Sequence, residues 1–205
     1  MIPPKKLLTV AIIFCAQIVQ AQVGIGTTSP EATLHVVGSF KVENSGSEPA
    51  LEIIPQANPT GSTTGQLAVI GDLLYMYDAT RAKWLSVESS ALQFGRNGNT
   101  NSQVLEFGGG MQSGSSGPIM PFNGTIIGIT ANTSGGASTK EFQVRVRNSS
   151  GTQSSINFNL ISNTYSDIDT NNNFSAGDYL TVRARDNGDG NVSNPGVVVW
   201  VKWRK

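Results

Sequence analysis

An acidic, amide-rich run in the C-terminal part of the chain carries the residue types that bind a divalent cation. It reads DIDTNNNFSAGD and begins at Asp167. Calcium-binding loops place oxygen ligands at positions one, three, five and twelve, because side chains with that spacing can surround one ion. The run has an oxygen-bearing side chain at each of those positions. The candidate calcium ligands are Asp167, Asp169, Asn171 and Asp178.

The same run departs from the calcium pattern in two places. Its sixth residue is Asn172, where such loops favour glycine, and its twelfth is Asp178, where the longer glutamate is usual. Aspartate and asparagine also cap turns, because their side chains bond to nearby backbone groups. An Asx-rich loop that caps its own backbone therefore stands beside calcium as an interpretation. The sequence predicts no firm metal site and no other cofactor.

Side chains that perform nucleophilic catalysis are scarce in this chain. It has one histidine, His35, and one cysteine, Cys15, and it contains no Gly-x-Ser-x-Gly motif. A catalytic triad needs a histidine base beside its nucleophile, and a histidine between Leu34 and Val36 in a short strand gives little support to such a site. We therefore expect that the protein is not an enzyme.

The overall composition agrees with that expectation. Lysine and arginine together number 14, aspartate and glutamate also number 14, and the formal net charge is zero. Nucleic-acid-binding proteins usually carry a basic patch, and the sequence has no basic stripe, so we expect no nucleic-acid partner. Charged residues make up 14% of the chain, against about 25% in an ordinary soluble domain, and glycine is abundant at 23 residues. Such a composition favours a β-protein rich in turns.

Residues 1–21 have the pattern of a signal peptide. Two lysines precede an apolar stretch from Leu7 to Phe14, and short side chains follow at the expected cleavage site before Gln22. The apolar stretch is too short to span a bilayer. We therefore predict that the protein is secreted or lies at the cell surface, and that the mature chain has no transmembrane segment. Cleavage would remove the cysteine, so the mature chain could form no disulfide.

After residue 22 the sequence has no sustained helical period. Its apolar runs are short and end at Gly, Pro, Asn or Ser, a pattern typical of strands joined by turns. Gly71-Asp72 joins two apolar runs as the turn of a tight hairpin does. The predicted strands are Thr33–Val37, Ser39–Glu43, Leu51–Ile54, Gln66–Ile70, Leu73–Asp78, Lys83–Val87, Gln103–Phe107, Gly124–Ala131, Lys140–Asn148, Ser154–Leu160, Asp178–Asp186 and Gly196–Trp203.

The strands fall into two regions. Residues 22–90 mix short strands with polar linkers, and we predict that they form a stalk with β-hairpins. Residues 91–205 are denser: Phe142–Arg147 alternates apolar and polar residues, and Gly196–Trp203 is apolar on both faces, as a central strand is. About a hundred residues with six to eight strands suit a jelly roll or an immunoglobulin-like sandwich. The immunoglobulin Cys…Trp…Cys spacing is absent, so the sequence favours a jelly-roll head.

Three stretches resemble phage tail-fibre-like proteins and their secreted bacterial relatives. The first is VGIGTTSP at Val23–Pro30, followed by ATLHV at Ala32–Val36. The second is GDLLYMYD at Gly71–Asp78, which continues as TRAKWLSV at Thr80–Val87. The third runs from Phe94 to the C-terminus and is similar to the trimeric jelly-roll heads that cap such fibres, in particular in SAGDYL and in the closing strand.

The resemblance implies an architecture and a class of function. It implies an all-β homotrimer with a slender, short-strand stalk and a jelly-roll β-sandwich head similar to those of complement and tumour-necrosis-factor proteins. Members of this group bind surfaces, often glycans, and most are not enzymes. A virion fibre assembles inside the cell and needs no signal peptide. The predicted signal peptide therefore favours a secreted or cell-surface protein over a virion part.

These observations lead to one leading hypothesis and two alternatives. The leading hypothesis is a secreted trimeric adhesin whose head binds a surface glycan or polymer. The second is a structural matrix or appendage subunit whose head drives trimerisation, and the third is a polysaccharide-active enzyme with paired carboxylates. Under the leading hypothesis, ligand contact is expected in the polar loops Ser162–Gly177 and Asn187–Pro195, because the loops of a sandwich carry recognition.

Overall fold

The three-dimensional structure is a computed structural model. It describes residues 22–44, 46–47, 49–108, 110 and 114–204, and the predicted signal peptide lies outside them. Every regular element in the described part of the chain is a β-strand, which confirms the predicted all-β class. None of the described segments is a helix long and apolar enough to cross a membrane.

The described residues form seventeen β-strands, numbered here in chain order. They are β1 (Val23–Ile25), β2 (Leu34–Val36), β3 (Leu67–Ile70), β4 (Leu73–Asp78), β5 (Lys83–Ser86), β6 (Ser90–Gly95), β7 (Asn99–Thr100), β8 (Glu106–Phe107), β9 (Gly124–Asn132), β10 (Gly135–Gly136), β11 (Glu141–Asn148), β12 (Gly151–Asn159), β13 (Thr164–Asp167), β14 (Asn172–Phe174), β15 (Tyr179–Ala184), β16 (Val192–Ser193) and β17 (Gly196–Trp203). The strands β4 and β17 have the bounds that the sequence predicts.

The chain divides into two compact units between Glu52 and Ile53. In the first unit β1 and β2 form a parallel pair, with Gly24 opposite His35. The strand predicted at Ser39–Glu43 is wrong, because this segment has no partner strand among the described residues. Alternating apolar residues are not sufficient for a strand where no neighbouring backbone accepts its hydrogen bonds.

The second unit begins with an antiparallel meander of β3, β4 and β5. Gly71 lies in the turn between β3 and β4 with a φ of 61°, which glycine adopts without steric penalty, and the predicted hairpin is confirmed. Ala68, Ile70 and Tyr75 form a small apolar cluster, and Trp84 packs against it. This meander belongs to the segment 22–90 that we predicted to be a stalk, but it lies in the same compact unit as the sandwich.

The rest of the second unit is a β-sandwich, as predicted for the head. One sheet has the order β13-β9-β17-β6-β8, with β14 also paired to β9, and the other has the order β12-β11-β15. A third, small sheet has the order β10-β16-β7. Side chains alternate along a strand, so every second residue of the long strands enters the core. From β11 and β17 these residues are Phe142, Val144, Val146, Val197, Val199 and Val201.

The last strand, β17, is a central strand, as its apolar sequence predicts. It pairs with β6 on one side and with β9 on the other. Val199 is fully buried, whereas Trp200 on the opposite face is 40% exposed. Trp203 packs against the core and meets the ring of Phe174 edge-on. The two faces of β17 therefore differ: the face with Val199 is buried in the core, whereas the face with Trp200 is partly exposed to solvent.

The two predicted polar loops contain strands that sequence reasoning missed. Ser162–Gly177 includes β13 and β14, which pair with different parts of β9, and Asn187–Pro195 includes the two-residue β16. Their residues are mostly polar, so backbone hydrogen bonds rather than an apolar period define them.

Two strands predicted elsewhere are shorter than expected or absent. Of Gln103–Phe107 only the last two residues form a strand, β8, and Leu51–Ile54 forms none.

Arg81 joins the meander to the sandwich. Its guanidinium donates to the backbone carbonyls of Ile127, Ile168 and Thr170 at 3.1, 2.7 and 2.9 Å. The same group makes a 2.7 Å ion pair with Asp78, and its side chain is 13% exposed. Because three carbonyls and a carboxylate satisfy this nearly buried cation, Arg81 holds the two parts of the unit together.

Replacing Arg81 with lysine should destabilise the protein. An ammonium group cannot reach all four acceptors in the same planar arrangement, so buried carbonyls lose their donors. We expect the free energy of unfolding, measured by urea denaturation, to fall by about 2 kcal/mol. The matched control is Arg96→Lys, because Arg96 makes only a 4.0 Å ion pair with Glu106 and a 3.4 Å hydrogen bond to the carbonyl of Val104. Equal losses in both variants would contradict the role of Arg81.

The ion pair of Asp78 with Arg81 also predicts a pH dependence of stability. Burial alone raises the pKa of Asp78, but hydrogen bonds from Arg81 and Thr80 and the charge of Arg81 outweigh it, so the pKa is lowered. A carboxyl with a lowered folded pKa stabilises the fold above its unfolded pKa of about 4, and this contribution is lost as the pH falls through the folded value. Asp78→Asn should therefore flatten the acid-induced loss of stability below about pH 4, as followed by thermal unfolding. An unchanged slope would rule out this contribution.

Candidate functional site

The strand β11 presents arginine side chains on one face of its sheet and apolar side chains on the other. Its sequence, EFQVRVRN, alternates with the period of two that a strand requires. Phe142, Val144 and Val146 are at most 2% exposed and belong to the core. Arg145 and Arg147 therefore project from the outer face of the three-stranded sheet.

Pairing with neighbouring strands extends this polar row across the sheet. Arg145 lies opposite Thr181 of β15 and opposite Ser155 of β12. Gln143 lies opposite Arg183 of β15, which adds a third guanidinium group to the same face. We call this surface the arginine face. Its residues are Gln143, Arg145, Arg147, Thr152, Ser155, Asn157, Tyr179, Thr181 and Arg183.

The guanidinium groups of the arginine face make few hydrogen bonds within the protein. Arg145 donates from Nε to the hydroxyl of Thr181 at 3.2 Å and from Nη2 to the carbonyl of Gly114 at 3.5 Å. Arg183 donates at 3.5 Å to the carbonyl of the next residue. The Nε atom of Arg147 is buried and has no hydrogen-bond partner among the described residues. The contacts described therefore leave several donors of these half-buried guanidinium groups without a partner in the protein.

The three positive charges are close enough to influence one another. The pKa of Arg145 is lowered, first by burial and then by the charges of Arg147 and Arg183, while Tyr179 opposes the shift. In the described part of the chain, no carboxylate lies within ion-pair distance of any of these three arginines. Guanidinium groups bind carboxylate and phosphate groups through paired hydrogen bonds. The arginine face therefore suits an anionic ligand.

A segment rich in glycine and serine runs along one edge of the arginine face. Leu180 donates to the carbonyl of Pro118, and a Cβ atom at Gly117 would lie 2.0 Å from the carbonyl oxygen of Leu180. Only glycine permits that approach of two backbones. The same segment covers Thr181, which is fully buried. The accessible part of the arginine face therefore lies mainly over β11 and β12.

The predicted calcium ligands use their oxygens within the protein. Asp167 accepts hydrogen bonds from the backbone N–H of Asp169 at 2.8 Å and from the hydroxyl of Thr170 at 2.9 Å. Asp178 accepts one from the backbone N–H of Ser175 at 2.8 Å. These contacts are turn caps of the kind that the alternative interpretation describes.

Asn171 has a different partner, the ammonium group of Lys83, which also donates to Asn173 at 2.6 Å. A cation would have to displace this ammonium group from the amide oxygen. Within the described residues, no group of three or more histidine, cysteine, aspartate or glutamate side chains is arranged to hold a metal ion. Calcium binding at the four candidate ligands stays a prediction, and the contacts described give these four side chains no common partner.

Part of the predicted loop surface does line a pocket. This pocket has a volume of about 360 Å³ and lies at the end of β11 where Asn148 donates to Asp178 at 3.3 Å. Its lining residues are Asn148, Gln153, Ser154, Asn173, Phe174, Ser175, Ala176 and Asp178.

A second cavity, of about 620 Å³, has a mostly apolar lining with two acidic residues and no basic one. It is lined by Ile70, Asp72, Leu73, Leu74, Ser86, Val87, Glu88, Phe122 and Trp203.

The alternation of Phe142–Arg147 was visible in the sequence, but we predicted ligand contact in the polar loops. The arginine face was missed because a strand with polar residues on one side is usually a solvated strand. One signal in the sequence could have found it. Two arginines stand two residues apart, and no acidic residue occurs from Gln143 to Asn157 to neutralise them.

Comparison with known protein families gives a match between residues 92–195 and delta endotoxin. The matched segment spans half of the chain and includes β11, β12 and β15, so it contains the whole arginine face. The domain of that family is a β-sandwich, in agreement with the two packed sheets of this chain. No curated protein matches the chain.

Repulsion within the arginine face predicts how stability responds to salt. Salt screens like charges, so the free energy of unfolding of the parent protein should rise by about 0.5 kcal/mol between about 0.02 and 0.3 M sodium chloride. Arg147→Gln should be at least as stable as the parent at low salt and should show a smaller rise. Arg96→Gln is the control, because it removes a paired arginine elsewhere and should keep the parent's response. A parent protein that salt destabilises would contradict this account.

Proposed function

The chain belongs to the delta endotoxin family, and from that premise and the arginine face we propose that it is a secreted, trimeric protein that binds anionic glycans or polymers at a surface. A toxin acts on a target cell, so the family name supports contact with a cell surface. The proposal includes no catalytic step. We also propose that the sandwich is a jelly roll, the fold that the sequence favours for the head.

The arginine face is the observation that carries the proposal. It combines three guanidinium groups without carboxylate partners, among the described residues, with the amide and hydroxyl groups that hydrogen-bond sugars. Arg145 and Arg147 are two residues apart on one strand, which places their Cα atoms about 7 Å apart. An extended polymer with a negative charge on successive units can meet several of these groups at once. A flat sheet face suits such a ligand better than a small molecule that needs an enclosing pocket.

The first unit supports self-association. The strands β1 and β2 have three residues each, and Val23, Ile25 and Leu34 are each more than half exposed. A two-stranded pair this short, with uncovered apolar side chains, is not stable alone in water. We infer that three copies cover these side chains around a common axis, as in the fibre-like proteins that Val23–Val36 resembles. Three arginine faces in one particle would raise the overall affinity without new contacts.

Secretion rests on the signal-peptide pattern of residues 1–21. A surface-binding protein outside the cell meets polymers that carry carboxylate, sulfate or phosphate groups, so the proposed location and the charge of the arginine face agree. The structural-subunit alternative requires trimers but no ligand, and binding measurements separate it from the leading proposal.

The binding proposal is tested with the mature full-length protein and alginate, a polymer of uronic acids, with neutral dextran as the reference polymer. We expect binding to alginate that weakens as salt is added, and none to dextran. The double variant Arg145→Gln and Arg147→Gln should lose about tenfold or more in affinity, because each charge-assisted hydrogen bond contributes more than a neutral one. Arg96→Gln should bind as the parent does.

Two results would contradict the binding proposal. One is equal affinity of the parent and the double variant for alginate, with unchanged salt dependence. The other is a trimeric parent that binds neither polymer, which would favour a structural subunit.

Trimerisation is tested separately by light scattering on the mature protein at micromolar concentration. We expect the mass of three chains. The double variant Val23→Asp and Leu34→Asp should dissociate to monomers while its sandwich keeps the parent's cooperative unfolding, because the charges disrupt only the apolar surface of β1 and β2. The control Thr28→Asp introduces a charge at an exposed polar position of the same unit and should remain trimeric. A monomeric parent would refute self-association.

A further inference from the structure

Lys140 places a primary amine inside the protein, directly against a carboxamide. It precedes β11 and is fully buried, which is rare for lysine. Its Nζ atom donates to Asn101 Oδ1 at 2.6 Å and to the carbonyl of Gly190 at 2.8 Å. Lys140 and Asn101 are 39 positions apart in the sequence, so this contact ties together two distant segments of the second unit.

Turn contacts fix the backbone of both residues. The backbone N–H of Asn101 donates at 2.8 Å to the side-chain oxygen of Gln103, which also accepts from the hydroxyl of Thr100. The backbone N–H of Lys140 donates at 3.2 Å to the carbonyl of Ala137. The amine and the carboxamide therefore meet from two fixed segments, and orientation of this kind accelerates a reaction between two groups.

Three acidic residues influence this amine through their charges, although none of the described carboxylates makes an ion pair with it. Burial lowers the pKa of Lys140, while the charges of Asp189, Asp186 and Glu141 oppose the shift. Asp189 stands next to Gly190 in the chain, and its Oδ2 atom is buried without a hydrogen-bond partner among the described residues. A carboxyl group at this position can relay a proton through one water molecule during a reaction at the carboxamide.

We propose that Lys140 and Asn101 form an intramolecular isopeptide bond. The neutral amine of Lys140 attacks Cγ of Asn101, a bond between Nζ and Cγ forms, and the bond between Cγ and Nδ2 breaks. Through one bridging water molecule, Asp189 takes a proton from Nζ and gives it to Nδ2, which leaves as ammonia. The reaction consumes no oxidant and no cofactor, because one amide replaces another.

The bond would give this chain a covalent link that does not need cysteine. It closes a loop from residue 101 to residue 140, and such a link stabilises a fold by restricting the unfolded chain, as a disulfide does. The link would hold β7 to the start of β11 under load or in a reducing environment. This inference is independent of the proposed function, because it concerns the sandwich and not its ligand.

The test is a tryptic map of the denatured mature protein by mass spectrometry. Between Arg96 and Arg145, Lys140 is the one residue at which trypsin cleaves. An amide at Nζ blocks that cleavage, so the linked protein yields a single peptide, 97–145, that is lighter than its sequence by one ammonia. The unlinked protein yields the separate peptides 97–140 and 141–145.

Cleavage at Lys140, rather than intact mass, decides the question. Cyclisation of Gln22 at the mature N-terminus, or of an Asn-Gly pair, also releases ammonia but leaves Lys140 open to trypsin. Lys140→Arg keeps the charge, cannot form the bond, and should release the peptide 141–145 and lower the melting temperature. Asn101→Ala and Asp189→Asn should also release it. Complete release of peptide 141–145 from the parent protein overturns the proposal, and full linkage in Asp189→Asn overturns the role of Asp189.

Discussion

Burial of Phe142, Val144 and Val146 in the core fixes which face of β11 meets water. Phe142 stacks on Phe158 with ring centroids 5.8 Å apart, and Phe158 in turn stacks on Tyr165 at 4.3 Å. A slip of one residue in β11 would exchange Phe142 and the valines for Gln143 and arginines, which would bury guanidinium groups among apolar side chains. The arginine face is therefore set by core packing. Its geometry follows from the same alternation that stabilises the sandwich.

Buried cations connect segments that are distant in the sequence. The described residues contain no cysteine, so no disulfide can link them. Arg81 binds three carbonyls and a carboxylate, and Lys140 binds a carbonyl and a carboxamide. A buried cation without partners would strongly destabilise the fold, so each of these contacts also specifies one arrangement of the segments that supply the acceptors. The two sites differ in chemistry: a guanidinium is always charged, whereas a buried amine can lose its proton and become a nucleophile.

Strands were predictable from the sequence where an apolar residue that faces the core recurs at every second position. The strands β4 and β17 are examples, because their apolar residues alternate or run continuously between clear turn signals. The edge strands β13 and β14 were not predictable in this way, since their contribution is a row of backbone hydrogen bonds to β9 and their side chains are mostly polar. The error at Ser39–Glu43 is the converse case: an apolar alternation without a partner strand. Pairing is a property of the whole fold and is not visible in one segment.

The candidate site was less predictable than the fold. Oxygen-rich loops such as Asp167–Asp178 are typical of cation sites, yet the side chains of Asp167 and Asp178 cap their own turns. The arginines of β11 were visible as a strand pattern, but the third guanidinium, Arg183, joins them only through the pairing of β11 with β15. Charged side chains form a binding site when several of them lie close together, and the register of the paired strands decides which of them do. The contact between Asn101 and Lys140 was hidden for the same reason.

Repulsion among the three guanidinium groups links stability to binding. The charges of Arg147 and Arg183, which lower the pKa of Arg145, also raise the free energy of the folded state, and among the described residues no carboxylate makes an ion pair with these three arginines. An anion that binds there removes the repulsion and is bound by the native state alone, so it must stabilise the fold by mass action. Local rules of stability are most often broken at functional sites. Core packing of the sandwich does not require the uncompensated charge, which supports the binding surface that we propose.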